Sequence, residues 1–344
     1  MAKLSDLRKI YRTALGENYP EEIKVIMGEQ EIRLHKTYSF RYGDNPGQPA
    51  AVYSREPFFK ELKTGKQGLS KINFEDIFRA HLLLMSFDRP ACAFMKHLNP
   101  SGVAVIHSNE STHEIVRKAR ESDSQAAFGA SVGINYPCDE GSAKELASTY
   151  IECVAAPSFS QEALSVFKEK KDLRVVEITL PTDTMESELH LYPQGFATLS
   201  APYKSRIKTR NDVTVVTKKT PTESQFQDLI FSWAVCGHVR SNAIVITKDL
   251  CTIGIGTGQQ DRVTAARLAV EKAVERGHKA RLVGAVAASD GYIPFADNIT
   301  ALAKHGISAV IQPGGSVKDE EVINECNESG IAMVFTGARC FSHF

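Results

Sequence analysis

The chain has 344 residues, 42% of them hydrophobic and 24% charged. That is ordinary globular composition, long enough for two domains or one internally duplicated one. Its 41 Lys and Arg balance its 41 Asp and Glu, so no overall field gathers nucleic acid or an anionic membrane, and an anionic ligand needs local cations. No apolar run approaches the roughly 18 residues that span a bilayer, and no secretory apolar stretch follows Met1. The cysteines are scattered and never form C-x-x-C, which predicts small buried thiols in a reducing, cytoplasmic setting.

In chain order, residues 1–40 read as a short helical lead-in and a hairpin-like stretch. From about residue 72, apolar β-rich runs alternate with amphipathic helices. The pattern predicts strands at Ala91–Met95, Phe128–Ile134, Cys153–Ala156 and Leu173–Ile178. Between them it predicts helices near His113–Ser122, Ser142–Tyr150 and Gln161–Lys170. Residues 181–212 are polar, rich in Pro and Ser, and are expected to hold the crossover between halves. The alternation then resumes. A short strand at Val213–Val216 precedes a helix over Pro221–Val239, opened by Thr220 or Thr222. Ala243–Thr247 and Thr252–Ile255 form a strand pair. A long helix follows from Asp261, a suitable N-cap, to Arg276, with Gly277 as C-cap. Arg281–Ala288, Ile307–Ile311 and Ile331–Phe335 are β-rich runs separated by helices, and Ser316 and Asp319 have capping-box spacing before the last helix. Such alternation predicts an α/β fold with parallel sheet covered by helices. The grammar runs twice, dividing the chain into 1–200 and 201–344, with no repeat evident in the letters.

Several constellations could carry chemistry. Lys96-His97-Leu98-Asn99-Pro100-Ser101-Gly102 sets a cation beside a titratable base just after an apolar strand, and Pro100 and Gly102 are expected to turn the chain. Strand ends are where open α/β sheets place their crevice, and histidine is the natural general base near neutral pH. The plain alternative is a solvated lysine and a turn histidine. Gly254–Arg262 joins strand to helix without G-x-G-x-x-G or P-loop spacing. It is either a tight turn or a close backbone approach to a ligand. Arg262 in the first helical turn opposes the helix dipole, which points to a ligand-facing role. Gln312–Ser316 is a second glycine loop. Asp290–Asp297 mixes aromatics with carboxylates, a set that suits a flat N–H-bearing heterocycle or a packed turn. Arg41 with Tyr42 would suit a phosphate. The C-terminus, Arg339–Phe344, is too aromatic to fray. The dispersed histidines show no metal-ligand spacing and no zinc-deaminase signature, so no metal is expected.

RYGDNPGQ (41–48), KHLNPSG (96–102), AAFGA (126–130) and ECVAAPSFSQEAL (152–164) are followed in order by SNAIVITKD (241–249), GIGTGQQDRV (254–263), SDGYIPFADN (289–298), IQPGGSVKDEEVI (311–323) and GIAMVFTGARCFSHF (330–344). Together these runs resemble the aminoimidazole carboxamide ribonucleotide (AICAR) transformylase family, the formyl-transferring part of PurH-type bifunctional purine enzymes. The resemblance covers about residues 40–344. It implies two tandem cytidine-deaminase-like α/β units, each a three-layer α/β/α arrangement, and a homodimer with active sites at the interface. It further implies formyl transfer from 10-formyltetrahydrofolate to the 5-amino group of AICAR.

By that resemblance His97 handles the proton, Lys96 supplies positive charge and Asn242 orients the reacting groups. Arg41, Tyr42 and Arg339 bind the 5′-phosphate. Phe128, Gly129 and Glu152 shape the ribose pocket, and Asn73, Arg262, Tyr292, Phe341 and His343 the base pocket. Val263, Pro294, Asp297, Asn298 and Ser316 are placed for the folate, with Asp297 the pterin acceptor. A structural potassium ion near Asp290 is a further implication. Gly47 departs from the family's His, Ser101 from Cys or Ala, Ala130 from Gly and Tyr292 from Phe, and Gln125 and Ala126 alter the segment before Phe128. These changes bear on pocket shape and leave the Lys-His pair intact. RYGDNPGQ begins too early for a preceding cyclohydrolase domain, so a stand-alone transformylase without ring closure to inosine monophosphate is expected. The competing expectations are a non-folate formyl donor and a catalytically silent nucleotide-binding regulator.

Overall fold

The computed structural model describes residues 16–65, 67–181 and 186–344. The expected helical lead-in lies mostly outside them. The chain divides into two compact units, one ending at Thr179 and the other beginning at Leu180, earlier than the boundary drawn near residue 200.

The first unit opens with strands β1 (Glu22–Met27), β2 (Gln30–Ser39) and β3 (Ala51–Ser54), which pair antiparallel in that order. The main sheet follows. It is built from β4 (Phe59–Lys63), β5 (Ala91–Lys96), β6 (Asn99–Val105), β7 (Ala130–Ile134), β8 (Ile151–Ala156) and β9 (Arg174–Ile178), in the order β6-β5-β7-β8-β9-β4. Only β7, β8 and β9 run parallel; β6, β5 and β4 pair antiparallel with their neighbours. The sheet is therefore mixed, where alternation had predicted parallel strands. Hydrophobic periodicity reports burial and not strand direction.

Helices α1 (Lys71–Leu84), α2 (Thr112–Ser122), α3 (Ser124–Ala127), α4 (Glu140–Ala147) and α5 (Gln161–Lys168) cover this sheet. Helix α1 packs on β5, β7 and β8, while α2, α4 and α5 pack side by side, α2 lying on β5 and β6. Strands β5 and β7 are buried almost throughout, as strands covered on both faces are. Each helix start has a local cause. Ser70 and Asn73 form a capping box for α1, Asp139 accepts from the Ser142 amide at 2.7 Å for α4, and Ser160 accepts from Ala163 for α5. Gly129, at φ +74, delays β7 beyond the expected Phe128.

The second unit begins with an exposed antiparallel hairpin of β10 (Glu188–Tyr192) and β11 (Phe196–Ser200). Its main sheet comprises β12 (Thr214–Val215), β13 (Ile244–Lys248), β14 (Cys251–Gly256), β15 (Val286–Ser289), β16 (Ala309–Gln312) and β17 (Ala332–Phe335). The order is β14-β13-β15-β16-β17-β12, and again only the strands corresponding to β7, β8 and β9 are parallel. The helices are α6 (Glu223–Cys236), capped by Thr222, α7 (Arg262–Glu275), capped by Asp261, α8 (Lys279–Leu282), α9 (Ala296–Ala303) and α10 (Asp319–Glu328). A core of Ile244, Ile253, Ala269, Ile299, Val310 and Met333, among others, fills the space between them. The β-rich run expected from Arg281 starts only at Val286, because α8 and the left-handed Gly284 precede it. The expected Ser316 capping box is absent. The last helix is capped at Lys318, and Asp319 instead accepts from the Gly315 amide at 2.7 Å.

The two units are copies of one plan, and the repeat is present in the letters after all. Ser70/Thr222, Phe74/Phe226, Asp76/Asp228, Lys96/Lys248, Leu98/Leu250 and Gly102/Gly254 recur at one constant spacing. The matched geometry is close. Lys96 donates to the Phe128 carbonyl at 2.6 Å and Lys248 to the Val283 carbonyl at 2.6 Å. Gly129 donates to Tyr150 at 2.8 Å and Gly284 to Gly306 at 2.8 Å. All seven cysteines are buried and unbridged. No helix among the described residues is long and apolar enough to cross a membrane.

Candidate active site

The residues singled out fall into two clusters, one in each unit. In the first, β5 and β6 join through a two-residue turn, since Lys96 pairs with Asn99. The turn is His97-Leu98, both left-handed at φ 53 and 67, a type I′ geometry. Pro100 and Gly102, expected to turn the chain, lie inside β6. Gly102 serves another purpose: a Cβ there would collide with the Ala119 carbonyl oxygen of α2. His97 is exposed at the tip, and the neighbouring Lys96 ammonium is aimed at Phe128.

Around this tip the first unit gathers Phe128, 59% exposed, whose ring lies 5.2 Å from that of Tyr150. Glu152, on β8, accepts from the Asn73 amide on α1 at 3.0 Å. Arg41 and Tyr42 are tied to the start of α1 by Arg41 N to Leu69 O and Lys71 N to Tyr42 O. The Arg41 guanidinium donates to the Tyr42 hydroxyl at 2.8 Å and lies over its ring. Lys96 ends β5, yet Gly129 and Glu152 stand at the amino ends of the parallel strands β7 and β8. This cluster therefore occupies the edge opposite to the carboxyl-end crevice that open parallel sheets favour.

In the second unit the candidates do follow that rule. Arg262 and Val263 come after β14, Asp290–Asn298 after β15, Ser316 after β16 and Arg339–His343 after β17. Asn242 precedes β13, which is antiparallel to β14 and β15, so it shares that edge. Asn242 is held from both sides of its amide. Its nitrogen donates to Gln259 O at 2.8 Å and its oxygen accepts from the Arg262 guanidinium at 2.7 Å. Arg262 also donates to Ser289 Oγ at 2.9 Å and pairs with the wholly buried Asp290. Ser241 Oγ and the Ala243 amide donate to the other Asp290 oxygen. Both carboxylate oxygens are thus engaged within the protein.

The C-terminal segment is tied down, as its aromatic composition predicts. Cys340 is buried, its amide donates to Asp290 O at 3.0 Å, and Ser342 O accepts from the Ser241 amide at 3.1 Å. The Arg339 guanidinium lies 4.8 Å from the Phe341 ring centre, and the His343 ring stands edge-on to Phe341 at 5.9 Å. Tyr292 is exposed, and Asp297 sits exposed in the first turn of α9. Asn298, 1% exposed, has no hydrogen-bond partner for either side-chain polar atom among the described residues. Pro294 lies between Tyr292 and Asp297, Val263 is exposed beside Arg262 at the start of α7, and Ser316 Oγ accepts from the Lys318 amide at 3.2 Å. Of the Gly254–Gly258 run, Gly258 is left-handed at φ 67, as a tight turn requires, but the other two glycines have a different use from the one expected. Gly254 and Gly256 lie within β14, where a Cβ would collide with α7 carbonyls.

The sequence reading missed Asp76, 4% exposed on α1, which accepts from the Leu98 amide at 2.7 Å. Burial pushes its carboxyl up to about 6 against the pull of the backbone amides. Its signal was the repeated Phe-x-Asp of α1 and α6.

A family model described as the AICARFT/IMPCHase bienzyme matches residues 8–272. The bifunctional purine biosynthesis protein PurH of Oceanobacillus iheyensis is 38% identical over 333 residues, covering 95% of this chain and 62% of that protein. Its namesake in Magnetococcus marinus is 41% identical over 324 residues, covering 91% and 60%. That of Clostridium perfringens is 40% identical over 353 residues, covering 99% and 66%. The chain spans roughly three fifths of the length of these relatives. With the model matching well over half the chain and these identities running along nearly all of it, the chain belongs to the AICARFT/IMPCHase bienzyme family.

Proposed function

We propose that the chain is a purine-biosynthetic formyltransferase that moves a formyl group from 10-formyltetrahydrofolate to the 5-amino group of AICAR. The amine nitrogen attacks the formyl carbon, the amine loses a proton, the carbon–N10 bond breaks, and N10 takes up a proton. The amine is conjugated with its ring and carboxamide, so it is a poor nucleophile and needs its proton removed as attack proceeds. His97 serves as that base, worth roughly 10²–10⁴-fold. The Lys96 ammonium stabilises charge developing on the formyl oxygen or the leaving folate. Asn242, fixed by Gln259 and Arg262, orients the reacting groups. Arg41, Tyr42 and Arg339 take the phosphate. Phe128, Gly129 and Glu152 take the ribose, and Asn73, Arg262, Tyr292, Phe341 and His343 the base. Val263, Pro294, Asp297, Asn298 and Ser316 take the folate. A cytoplasmic homodimer with sites at the subunit interface accompanies this reading.

The observation that carries it is the exposed His97 beside Lys96 at a left-handed two-residue turn, in a chain about 40% identical to PurH proteins. The test is an absorbance assay with AICAR and 10-formyltetrahydrofolate, run beside a separate assay for ring closure. Turnover that disappears in His97→Ala, with ribonucleotide binding retained, is expected. Turnover unaffected by that substitution overturns the role of His97. Turnover only with formyl phosphate, or with formate plus ATP, moves the chain to a different donor. Ribonucleotide binding without turnover from any donor leaves a regulator.

A further inference from the structure

We propose that Asp76 is the positioning residue of this site: its buried carboxylate clamps the His97–Leu98 turn and holds the imidazole out from the hairpin beside Lys96. The proposal rests on the reading of His97 as the base.

Residues with a Cβ disfavour left-handed backbone, and type I′ turns ordinarily recruit Asn-Gly. The tip of β5–β6 is instead His-Leu, with both residues left-handed. Something outside the turn must hold it. Asp76 reaches it from α1, accepting from the Leu98 amide at 2.7 Å. A charged acceptor makes the stronger bond to an amide. The second unit repeats the device. Asp228, 7% exposed on α6, accepts from the Asp249 amide at 3.1 Å and the Leu250 amide at 2.7 Å. Those two residues are left-handed at φ 54 and 52. The clamp therefore belongs to the fold, and only in the first unit does it present a histidine.

Burial works against the charged form of Asp76. Burial raises the Asp76 carboxyl to about 6, and the charges of Glu75 and Glu152 add to the push. A raised carboxyl stabilises the fold below its unfolded value, and that contribution is lost as pH rises through about 6. At pH 8, Asp76→Asn should thus leave the thermal midpoint unchanged or raised while weakening the clamp. A residue that served only the fold would not show that opposition.

The test compares Asp76→Asn, Asp76→Ala and Asp228→Ala in the full chain. The first readout is amide exchange at Leu98 and the His97 backbone coupling by NMR, which needs no activity. The second is kcat and KM for AICAR. Asp76→Ala is expected to lose Leu98 protection and roughly 10²-fold in kcat with KM little changed. Asp76→Asn should lie between it and the wild type, at a midpoint no lower than wild type. Asp228→Ala should match the stability loss of Asp76→Ala and keep its kcat. Unchanged Leu98 protection in Asp76→Ala, or equal kcat losses in the two alanine variants, overturns the proposal. If the wild-type chain transfers no formyl group, the proposed function falls, and the clamp stands or falls on the exchange measurement.

Discussion

A cation in the first turn of a helix opposes the helix dipole, and Arg262 is held there because a fully buried carboxylate answers it. Its guanidinium meets Asp290, Ser289 and Asn242 together. Removing one partner of such a pair leaves an uncompensated buried charge, which costs about 3–5 kcal/mol. Arg262→Ala is therefore expected to lower the unfolding free energy by about that amount in urea titration. A loss below about 1 kcal/mol would show that Asp290 finds another partner. The dipole argument singled out Arg262 from sequence, and the family resemblance singled out Asn242. That the two are bonded was not legible, because the contact joins the residue before β13 to the start of α7 across an intervening hairpin. Asp76 was passed over for a different reason: it acts on backbone amides, which every residue carries, so only the recurrence of Phe-x-Asp in α1 and α6 marks it.

At the scale of elements, strands such as β5 and β13 were legible because unbroken apolar runs mark burial on both faces. Their turns were not, because His97-Leu98 and Asp249-Leu250 lack the glycine that usually announces a type I′ hairpin. Gly277 ends its helix left-handed as expected, while the glycines inside the strands serve packing. Gly102 on β6 and Gly256 on β14 let α2 and α7 lie directly on their strands, where the Ala119 and Ala265 carbonyls occupy the space a Cβ would need. Backbone cannot swing aside as a side chain can. Gly102→Ala and Gly256→Ala should each destabilise the protein by about 1–3 kcal/mol or more, as overpacking does. Equal thermal midpoints for wild type and both variants would show that the helices slide freely.

For the whole molecule, duplication supplies an internal control that most enzymes lack. Lys96 and Lys248 tie their hairpins to the segment before the next strand in the same way, each donating at 2.6 Å to the carbonyl before a left-handed glycine. What surrounds them differs. The first unit adds His97, Phe128 and Tyr150, where the second has Asp249, Val283 and Gly306. A contact present in both units reports on the fold, and a feature present in one reports on function. Replacing either lysine by methionine removes one charge-assisted bond at a partly exposed site, worth about 1 kcal/mol. Lys96→Met and Lys248→Met should therefore lose similar stability. Only Lys96→Met should also lose turnover, by roughly 10²–10³-fold, the scale of removing one donor that faces developing negative charge. Parallel urea titrations and formyl-transfer assays decide this. If Lys248→Met loses turnover to the same degree, Lys96 acts by bracing its hairpin, and the charge stabilisation must come from another cation of the site.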